Sequence, residues 1–149
     1  MLKKMSSERK LYIFDTFSGI VNADINFDQH KNGEFNEINL DDVKKFLSEF
    51  DNIEWCIGVF PDTFINMNIK DIFSFIHSDT DTYFGTVNTL KYFTPLLNIG
   101  GVILFDDYEW KNCLGIKKGI DDFFSTYDDK DKYEQIRLND YQLVVLRKN

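Results

Sequence analysis

The chain has 149 residues and a formal net charge of −8, with 25 acidic against 17 basic residues. Its length suits one domain with a hydrophobic core, and 43% of the residues are hydrophobic. The acidic excess argues against a nucleic-acid partner, because phosphate binding needs a basic surface. No apolar run approaches the roughly 20 residues of a membrane span, so we expect no membrane partner either.

The first ten residues are charged and no apolar core follows them. We therefore interpret residues 1–10 as an N-terminal tail and not as a secretory signal. Cys56 and Cys113 form neither a CxxC pair nor a disulfide framework, and we expect both to be small core residues. Such sparse use of cysteine is typical of a cytoplasmic protein.

Strand and helix patterns alternate along the chain. Apolar runs predict strands at residues 11–14, 54–58, 73–77 and 102–105. Helical spacing predicts helices at residues 40–50, with Asn39 as N-cap, 62–66, 82–97 and 116–127. Residues 16–38 have weak periodicity and predict a long loop, while residues 133–138 and 141–146 predict an antiparallel hairpin. This order predicts an α/β fold, a three-layer α/β/α sandwich.

Acidic residues directly follow two of the predicted strands. Asp79 and Asp81 follow the strand at 73–77, and Asp106 and Asp107 follow the strand at 102–105. The helix between them makes a strand-helix-strand unit, so both strands run parallel and end at the same sheet edge. Carboxylates converging there would repel one another without a cation, and oxygen-only ligands favour Mg²⁺, Mn²⁺ or Ca²⁺ over zinc. No histidine lies near enough in sequence to suggest a zinc set.

Several of these residues have a second interpretation. Asp81 can be the N-cap of the next helix instead of a site residue. Asp15 ends the first strand, where an acid can bind ribose hydroxyls or simply form a turn. We expect His77 to be a core histidine, and Tyr108 and Trp110 to line a pocket or to lie on the surface.

Six short blocks follow one another along the chain. They read FDTFSG at 14–19, HKNGEF at 30–35, GVFPDT at 58–63, IHSDTDTY at 76–83, GGVILFDDY at 100–108, and GI at 115–116 with IDDF at 120–123. In this order they resemble the macrocin O-methyltransferase family, the class I S-adenosylmethionine-dependent sugar O-methyltransferases of macrolide and aminocoumarin biosynthesis.

The resemblance implies a Rossmann-like methyltransferase sheet with a C-terminal antiparallel hairpin, and a role for each acid. Asp79, Asp106 and Asp107 match the family's Mg²⁺ ligands. Asp81 matches its general base, and Asp15 matches the acid that contacts the ribose of S-adenosylmethionine. The acceptor implied is the hydroxyl of a sugar or glycoside, a small-molecule or saccharide partner. Residues 11–149 then form a single, partial methyltransferase domain.

One part of the family pattern is absent. The family's glycine-rich cofactor loop and the strand before it precede the counterpart of residues 11–15, whereas the ten residues before Leu11 contain no glycine. The missing strand would lie between those at 11–14 and 73–77. Three explanations are open. The chain is an N-terminally truncated product, or a partner chain supplies the missing strand, or the strands close into a smaller sheet. We expect the first, and weak or no methyltransferase activity from the isolated chain.

Two other functions remain open on the sequence. Asp79-Thr80-Asp81 at a strand end also fits the metal-binding motif of a nucleotide-sugar glycosyltransferase, although that leaves Asp106 and Asp107 unexplained. The other alternative is a non-catalytic remnant that forms a homo-oligomer through exposed sheet edges.

Overall fold

The structure is a computed structural model that describes residues 9–149, so most of the predicted tail at 1–10 lies outside the described residues. Its strands are β1 (Leu11–Asp15), β2 (Ile53–Ile57), β3 (Phe73–Ser78), β4 (Leu97–Phe105), β5 (Tyr133–Arg137) and β6 (Leu143–Arg147). Its α-helices are α1 (Leu40–Phe46), α2 (Asp62–Asn66), α3 (Tyr83–Phe93) and α4 (Leu114–Thr126). Short 3₁₀ turns occupy Thr94–Leu96 and Lys130–Lys132.

The strands form two separate sheets. β1 and β2 pair in parallel, and the second sheet has the order β3-β4-β6-β5. In that sheet β3 and β4 are parallel, while β6 is antiparallel to both β4 and β5, which confirms the predicted terminal hairpin. The two sheets have not closed into one smaller sheet, because in residues 9–149 β1 pairs only with β2 and β3 only with β4.

One face of the second sheet carries the core. Helices α3 and α4 pack together over it, and the fully buried side chains include Leu90 of α3, Ile116 and Ile120 of α4, and Ile103 and Val145 of the sheet. These residues recur at helical spacing in the helices and at alternate positions in the strands, as the sequence pattern requires.

Aromatic rings connect the two sheets on that same side. Phe14 of β1 lies with its ring centroid 5.7 Å from that of Phe93 of α3, and Tyr12 lies 5.6 Å from Phe73 of β3. Phe60 stacks on Phe93 at 5.4 Å. Phenylalanine therefore supplies much of the contact that holds β1 and β2 against the larger sheet, since no strand pairing joins them.

Strand β4 begins at Leu97, upstream of the predicted start at Val102. Its register with β3 shifts between Phe73 and Phe75, so the first part of β4 is irregular. A Cβ on Gly101 would lie 3.0 Å from the carbonyl oxygen of Phe73. Gly100 and Gly101 therefore lie inside β4, whereas the sequence predicted that they mark its start. The missing side chain of Gly101 allows the close backbone approach.

The segment between β1 and α1 contains neither helix nor strand over residues 16–38, as predicted. In the described part of the chain, no helix is long and apolar enough to cross a membrane.

Candidate active site

The carboxyl ends of β3 and β4 lie side by side, as the strand-helix-strand pattern predicts. Ser78 is opposite Phe105 in the parallel register. The backbone N–H of Asp106 then donates to the carbonyl oxygen of Ser78 at 3.0 Å. The two acidic segments therefore leave the sheet from neighbouring positions, at the edge where α/β sheets bind ligands.

Three carboxylates meet at this edge. Asp79, Asp81 and Asp107 each place an oxygen within 4.8 Å of the others. Asp81 and Asp107 have left-handed backbone, with φ of +56° and +53°. Aspartate tolerates this region better than most residues, but it remains uncommon outside glycine. The chain thus turns sharply at both residues, in the manner often seen where side chains are aimed at a ligand.

The pKa values of two of these acids are raised by burial and by the charges of their neighbours. Partial burial, followed by the charges of Asp106 and Asp107, raises the pKa of Asp79 above its ordinary value. Burial and the charge of Asp79 likewise raise the pKa of Asp81. Burial first, and like charge second, disfavour the ionised forms of both acids, and a bound cation would offset both effects.

Asp106 stands beside these three and is held by other groups. Its Oδ1 accepts a hydrogen bond from Gln142 Nε2 at 3.2 Å, and its Oδ2 lies 3.4 Å from His77 Nε2. His77 is exposed, so our expectation of a core histidine was wrong. Its side chain leaves β3 on the face opposite Ile76, which packs against the core. His77 and Gln142 therefore fix the orientation of the Asp106 carboxylate.

Asp81 is not the N-cap of α3. Thr82 holds that position, and its side-chain oxygen accepts the backbone N–H of Gly85 at 3.1 Å. Thr82 is 2% exposed, so the cap is enclosed by the structure. The alternative interpretation of Asp81 fails here, and its carboxylate is free to face Asp79 and Asp107.

Two residues that sequence reasoning missed lie against Asp81. Cys113 Sγ donates to Asp81 Oδ1 at 3.5 Å, and a His30 ring nitrogen lies within 4.8 Å of the same carboxylate. His30 also pairs with Glu34, with 2.7 Å between Nδ1 and the carboxylate oxygen. No spacing pattern indicates these contacts, because the long loop and the segment before α4 bring together residues that are distant along the chain. Both cysteines are buried as predicted, and burial raises the pKa of the Cys113 thiol.

A buried carboxylate holds the long loop against the site. Asp28 is 6% exposed and accepts the backbone N–H of Tyr83, at the start of α3, at 2.9 Å. Its second oxygen accepts the N–H of Asp24 at 2.8 Å. Asp28 thus occupies the N-terminus of α3, where a negative charge is favourable, and places His30 beside Asp81.

An open depression of about 470 Å³ adjoins the acids. Asp106, Asp107, Trp110 and Tyr141 contribute to its lining, and the rings of Trp110 and Tyr141 lie 5.0 Å apart. Trp110 thus lines a pocket, as one interpretation predicted. Tyr108 does not, since it is 6% exposed and belongs to the core. An aromatic wall next to acids is suited to a polar molecule with an apolar face, such as a sugar.

Asp15 lies at the carboxyl end of β1, where it was predicted. Its Oδ1 accepts the backbone N–H of Phe17 at 2.7 Å, so it does form a turn. The residue is exposed and keeps a second oxygen for a ligand. Among residues 9–149, no glycine-rich turn joins a strand to a helix beside it. Asp15 therefore forms a turn at the strand end, and its contact with the ribose of a cofactor stays a prediction.

Comparisons with known proteins identify the family of the chain. A sequence model of the Macrocin-O-methyltransferase (TylF) family matches residues 1–147. Demethyldecarbamoylnovobiocin O-methyltransferase of Streptomyces niveus is 24% identical over 136 residues, which cover 84% of this chain and 51% of that protein. The chain thus spans about half the length of this curated relative.

Solved structures show the same fold. The O-methyltransferase NovP superposes with a TM-score of 0.79 at 22% identity, covering 95% of this chain and 61% of that one. CalS11, a calicheamicin methyltransferase, gives 0.77 at 17% identity with the same coverage. The fold is thus the Rossmann-like fold of these methyltransferases, as predicted. Because the family match extends over almost the whole sequence, the chain belongs to the macrocin O-methyltransferase family.

Proposed function

We propose that this chain carries the metal-binding and acceptor-binding half of an S-adenosylmethionine-dependent O-methyltransferase that acts on a hydroxyl of a sugar or glycoside. The observation that carries the proposal is the convergence of Asp79, Asp81 and Asp107 beside Asp106 at the ends of β3 and β4. NovP, which shares the fold, is named as an O-methyltransferase, and CalS11 is named as a TDP-rhamnose 3'-O-methyltransferase of calicheamicin biosynthesis, which supports the acceptor class.

The acids divide into two roles. We assign Asp79, Asp106 and Asp107 as the Mg²⁺ ligands, because all three are oxygen donors at adjoining strand ends. Asp79 and Asp107 belong to the group of carboxylates within 4.8 Å of one another, whereas Asp106 lies outside that group and is oriented by His77 and Gln142. Bound Mg²⁺ would lower the pKa of an acceptor hydroxyl. The raised pKa values of Asp79 and Asp81 fit this donor set, since cation binding removes their mutual repulsion.

Asp81 is the general base. It lies against the cluster without being held by a helix cap, and its raised pKa brings its basicity closer to that of a useful proton acceptor. Cys113 and His30 fix its position. Asp81 takes the proton of the acceptor hydroxyl. S-adenosylmethionine would supply the methyl group, with S-adenosylhomocysteine as the leaving group.

The cofactor end is incomplete in the described residues. Asp15 is the group that would accept hydrogen bonds from ribose hydroxyls. The residues that would hold the amino-acid half of the cofactor are not found among residues 9–149. We therefore expect the isolated chain to bind metal and acceptor but to transfer methyl groups weakly or not at all.

Metal binding is tested by titrating Mn²⁺, a paramagnetic substitute for Mg²⁺, into the chain while free Mn²⁺ is followed by electron paramagnetic resonance. We expect one saturable site that Mg²⁺ displaces. Asp79→Asn should weaken it at least about ten-fold, because the site loses a charged ligand.

The matched control is Asp140→Asn, since Asp140 lines the same depression but lies outside the carboxylate cluster. It should leave the affinity within about two-fold of the parent value. Equal weakening in the two variants, or no saturable site in the parent chain, would show that the acids bind no specific metal.

A further inference from the structure

A second group of donor atoms lies beside the carboxylate cluster, and Asp81 belongs to both. A ring nitrogen of His30, an oxygen of Asp81 and Sγ of Cys113 all lie within 4.8 Å of one another. The distance from Cys113 Sγ to Asp81 Oδ1 is 3.5 Å. A tetrahedral zinc ion with bonds of about 2.0–2.3 Å keeps its ligand atoms about 3.3–3.8 Å apart. Cys113 and Asp81 already have this spacing, and a small movement of the His30 ring completes it.

The two segments that carry His30 and Cys113 are fastened to each other. The backbone N–H of Gln29 donates to the carbonyl oxygen of Asn112 at 3.2 Å, one residue before each of these donors. Cys113 is also the N-cap residue of α4, but its Sγ accepts no hydrogen bond from the N–H groups in the first turn of that helix. The sulfur therefore stays directed at Asp81, and the backbone holds the three donors together.

A carboxylate orients the imidazole of His30. Its Nδ1 lies 2.7 Å from a carboxylate oxygen of Glu34. When Nδ1 donates its hydrogen to that oxygen, Nε2 carries the lone pair that a metal ion needs. Histidines that bind metals usually hold their other nitrogen against a carboxylate or carbonyl in this way. The His30 side chain is 15% exposed and Cys113 is fully buried, so a cation reaches the group from the side of His30.

The two neighbouring groups differ in the chemistry of their donors. Asp79 and Asp107 offer only carboxylate oxygen, which suits Mg²⁺. The sulfur of Cys113 and the imidazole of His30 are softer donors, which favour Zn²⁺ over Mg²⁺. Together with one oxygen of Asp81 they make three protein ligands and leave a fourth position for water, a common arrangement around zinc.

We propose that His30, Asp81 and Cys113 form a second metal site, selective for Zn²⁺, beside the oxygen-only site. On binding, the Cys113 S–H bond breaks, a bond between Sγ and Zn²⁺ forms, and the proton leaves to the solvent. The imidazole and the carboxylate donate their lone pairs without losing a proton. Glu34 keeps the His30 ring in place while the metal is bound.

Zinc in this site would occupy the carboxylate to which we assign proton removal. An Asp81 oxygen that donates its lone pair to zinc is not available to the acceptor hydroxyl, so Zn²⁺ should inhibit methyl transfer. This consequence rests on the proposed function, whereas zinc binding by the three residues does not.

Cobalt is the probe for this site, because Co²⁺ substitutes for Zn²⁺ and its absorption spectrum reports its ligands. Co²⁺ is titrated into the full chain with Mg²⁺ at saturation, so that oxygen-only ligands are occupied. We expect a near-ultraviolet band from charge transfer between the Cys113 thiolate and Co²⁺, with one saturable site. Zn²⁺ should displace the Co²⁺ and abolish the band.

Variants of both cysteines identify the sulfur. Cys113→Ser should remove the near-ultraviolet band. The matched control is Cys56→Ser, which alters the other buried cysteine and should keep the band.

Variants of two loop acids test the role of His30. Glu34→Ala should weaken Co²⁺ binding about ten-fold, because the His30 ring loses the partner that orients it. The Glu34 side chain is 42% exposed, so this change leaves the core intact. Glu37→Ala removes an exposed acid of the same loop and should leave the affinity within about two-fold of the parent value.

Three results would overturn the proposal. They are no near-ultraviolet band at saturating Co²⁺, a band that persists in Cys113→Ser, and equal Co²⁺ affinities in Glu34→Ala and Glu37→Ala. The Mn²⁺ titration of the oxygen-only site is read separately. Loss of Mn²⁺ binding with the cobalt band retained would contradict the proposed function alone, and Mn²⁺ binding without the cobalt band would contradict the zinc site alone.

Discussion

At the scale of single residues, the site depends on carboxylates that are held close together against their repulsion. Asp79 and Asp81 both have a raised pKa, and each is affected by at least one neighbouring acid. The sequence predicted that these acids share one sheet edge. It could not predict His30 and Cys113 beside Asp81, because their approach depends on how a long loop without regular structure folds.

Removing one charge should stabilise the metal-free chain. A carboxyl whose folded pKa is raised binds more protons in the folded state, so stability falls as pH rises from the ordinary Asp value through the raised one. The loss is complete above the raised pKa. Asp79→Asn should therefore raise the melting temperature by about 2 °C near pH 7, a small change because Asp79 is exposed.

Near pH 3, where the carboxyl is protonated in both states, the same substitution should have almost no effect. Thermal melts of the parent chain, Asp79→Asn and Asp140→Asn in chelator-treated buffer give the comparison, with Asp140→Asn expected to match the parent at both pH values. A lower melting temperature for Asp79→Asn near pH 7 would mean that Asp79 stabilises the fold instead of being retained for a ligand.

At the scale of elements, the order of helices and strands was predictable, and the close contacts between them were not. Asn39 is the N-cap of α1 and β3 pairs in parallel with β4, both as predicted. Hydrophobic periodicity reports which face of an element is buried, which is why these features follow from sequence. The early start of β4 and the anchoring of the loop by Asp28 depend on contacts between segments that are distant along the chain. Hydrophobic periodicity does not report such contacts.

The junction of the loop with α3 and α4 should be sensitive to a single methyl group. A Cβ on Gly115 would lie 2.0 Å from Asp28 Oδ1 and 2.7 Å from the backbone nitrogen of Tyr83. Gly115→Ala should therefore lower the free energy of unfolding by about 2 kcal/mol, even though alanine favours helices.

Gly119→Ala in the same helix is the matched control. Its Cβ would meet side chains of Thr86 and Val87 at 3.1 Å or more, without a backbone or carboxylate clash. Urea denaturation should give Gly119→Ala a free energy of unfolding at least about 1 kcal/mol higher than that of Gly115→Ala. The difference corresponds to the clash of the added methyl group with Asp28 and Tyr83. Equal stabilities would mean that Asp28 moves aside easily and does not fix the loop.

At the scale of the whole molecule, the chain keeps the fold of its relatives, and within residues 9–149 no strand pairs with both β1 and β3. It superposes on NovP over 95% of its own length and covers 61% of that structure. The resemblance to the family implied that a strand is missing and that its place is between β1 and β3. The sequence could not predict whether β1 and β3 would pair directly. The distance between the two sheets depends on how aromatic rings pack between them, and sequence patterns do not report that packing.

The central claim is that the acids at the ends of β3 and β4 bind a divalent cation through oxygen. Crystals of the chain grown with Mn²⁺ and measured near the manganese absorption edge test it most directly. We predict an anomalous peak about 2.2 Å from carboxylate oxygens of Asp79, Asp106 and Asp107, with Asp81 beside it. The absence of a peak at saturating Mn²⁺, or a peak next to His30 and Cys113 instead, would contradict cation binding by these carboxylates.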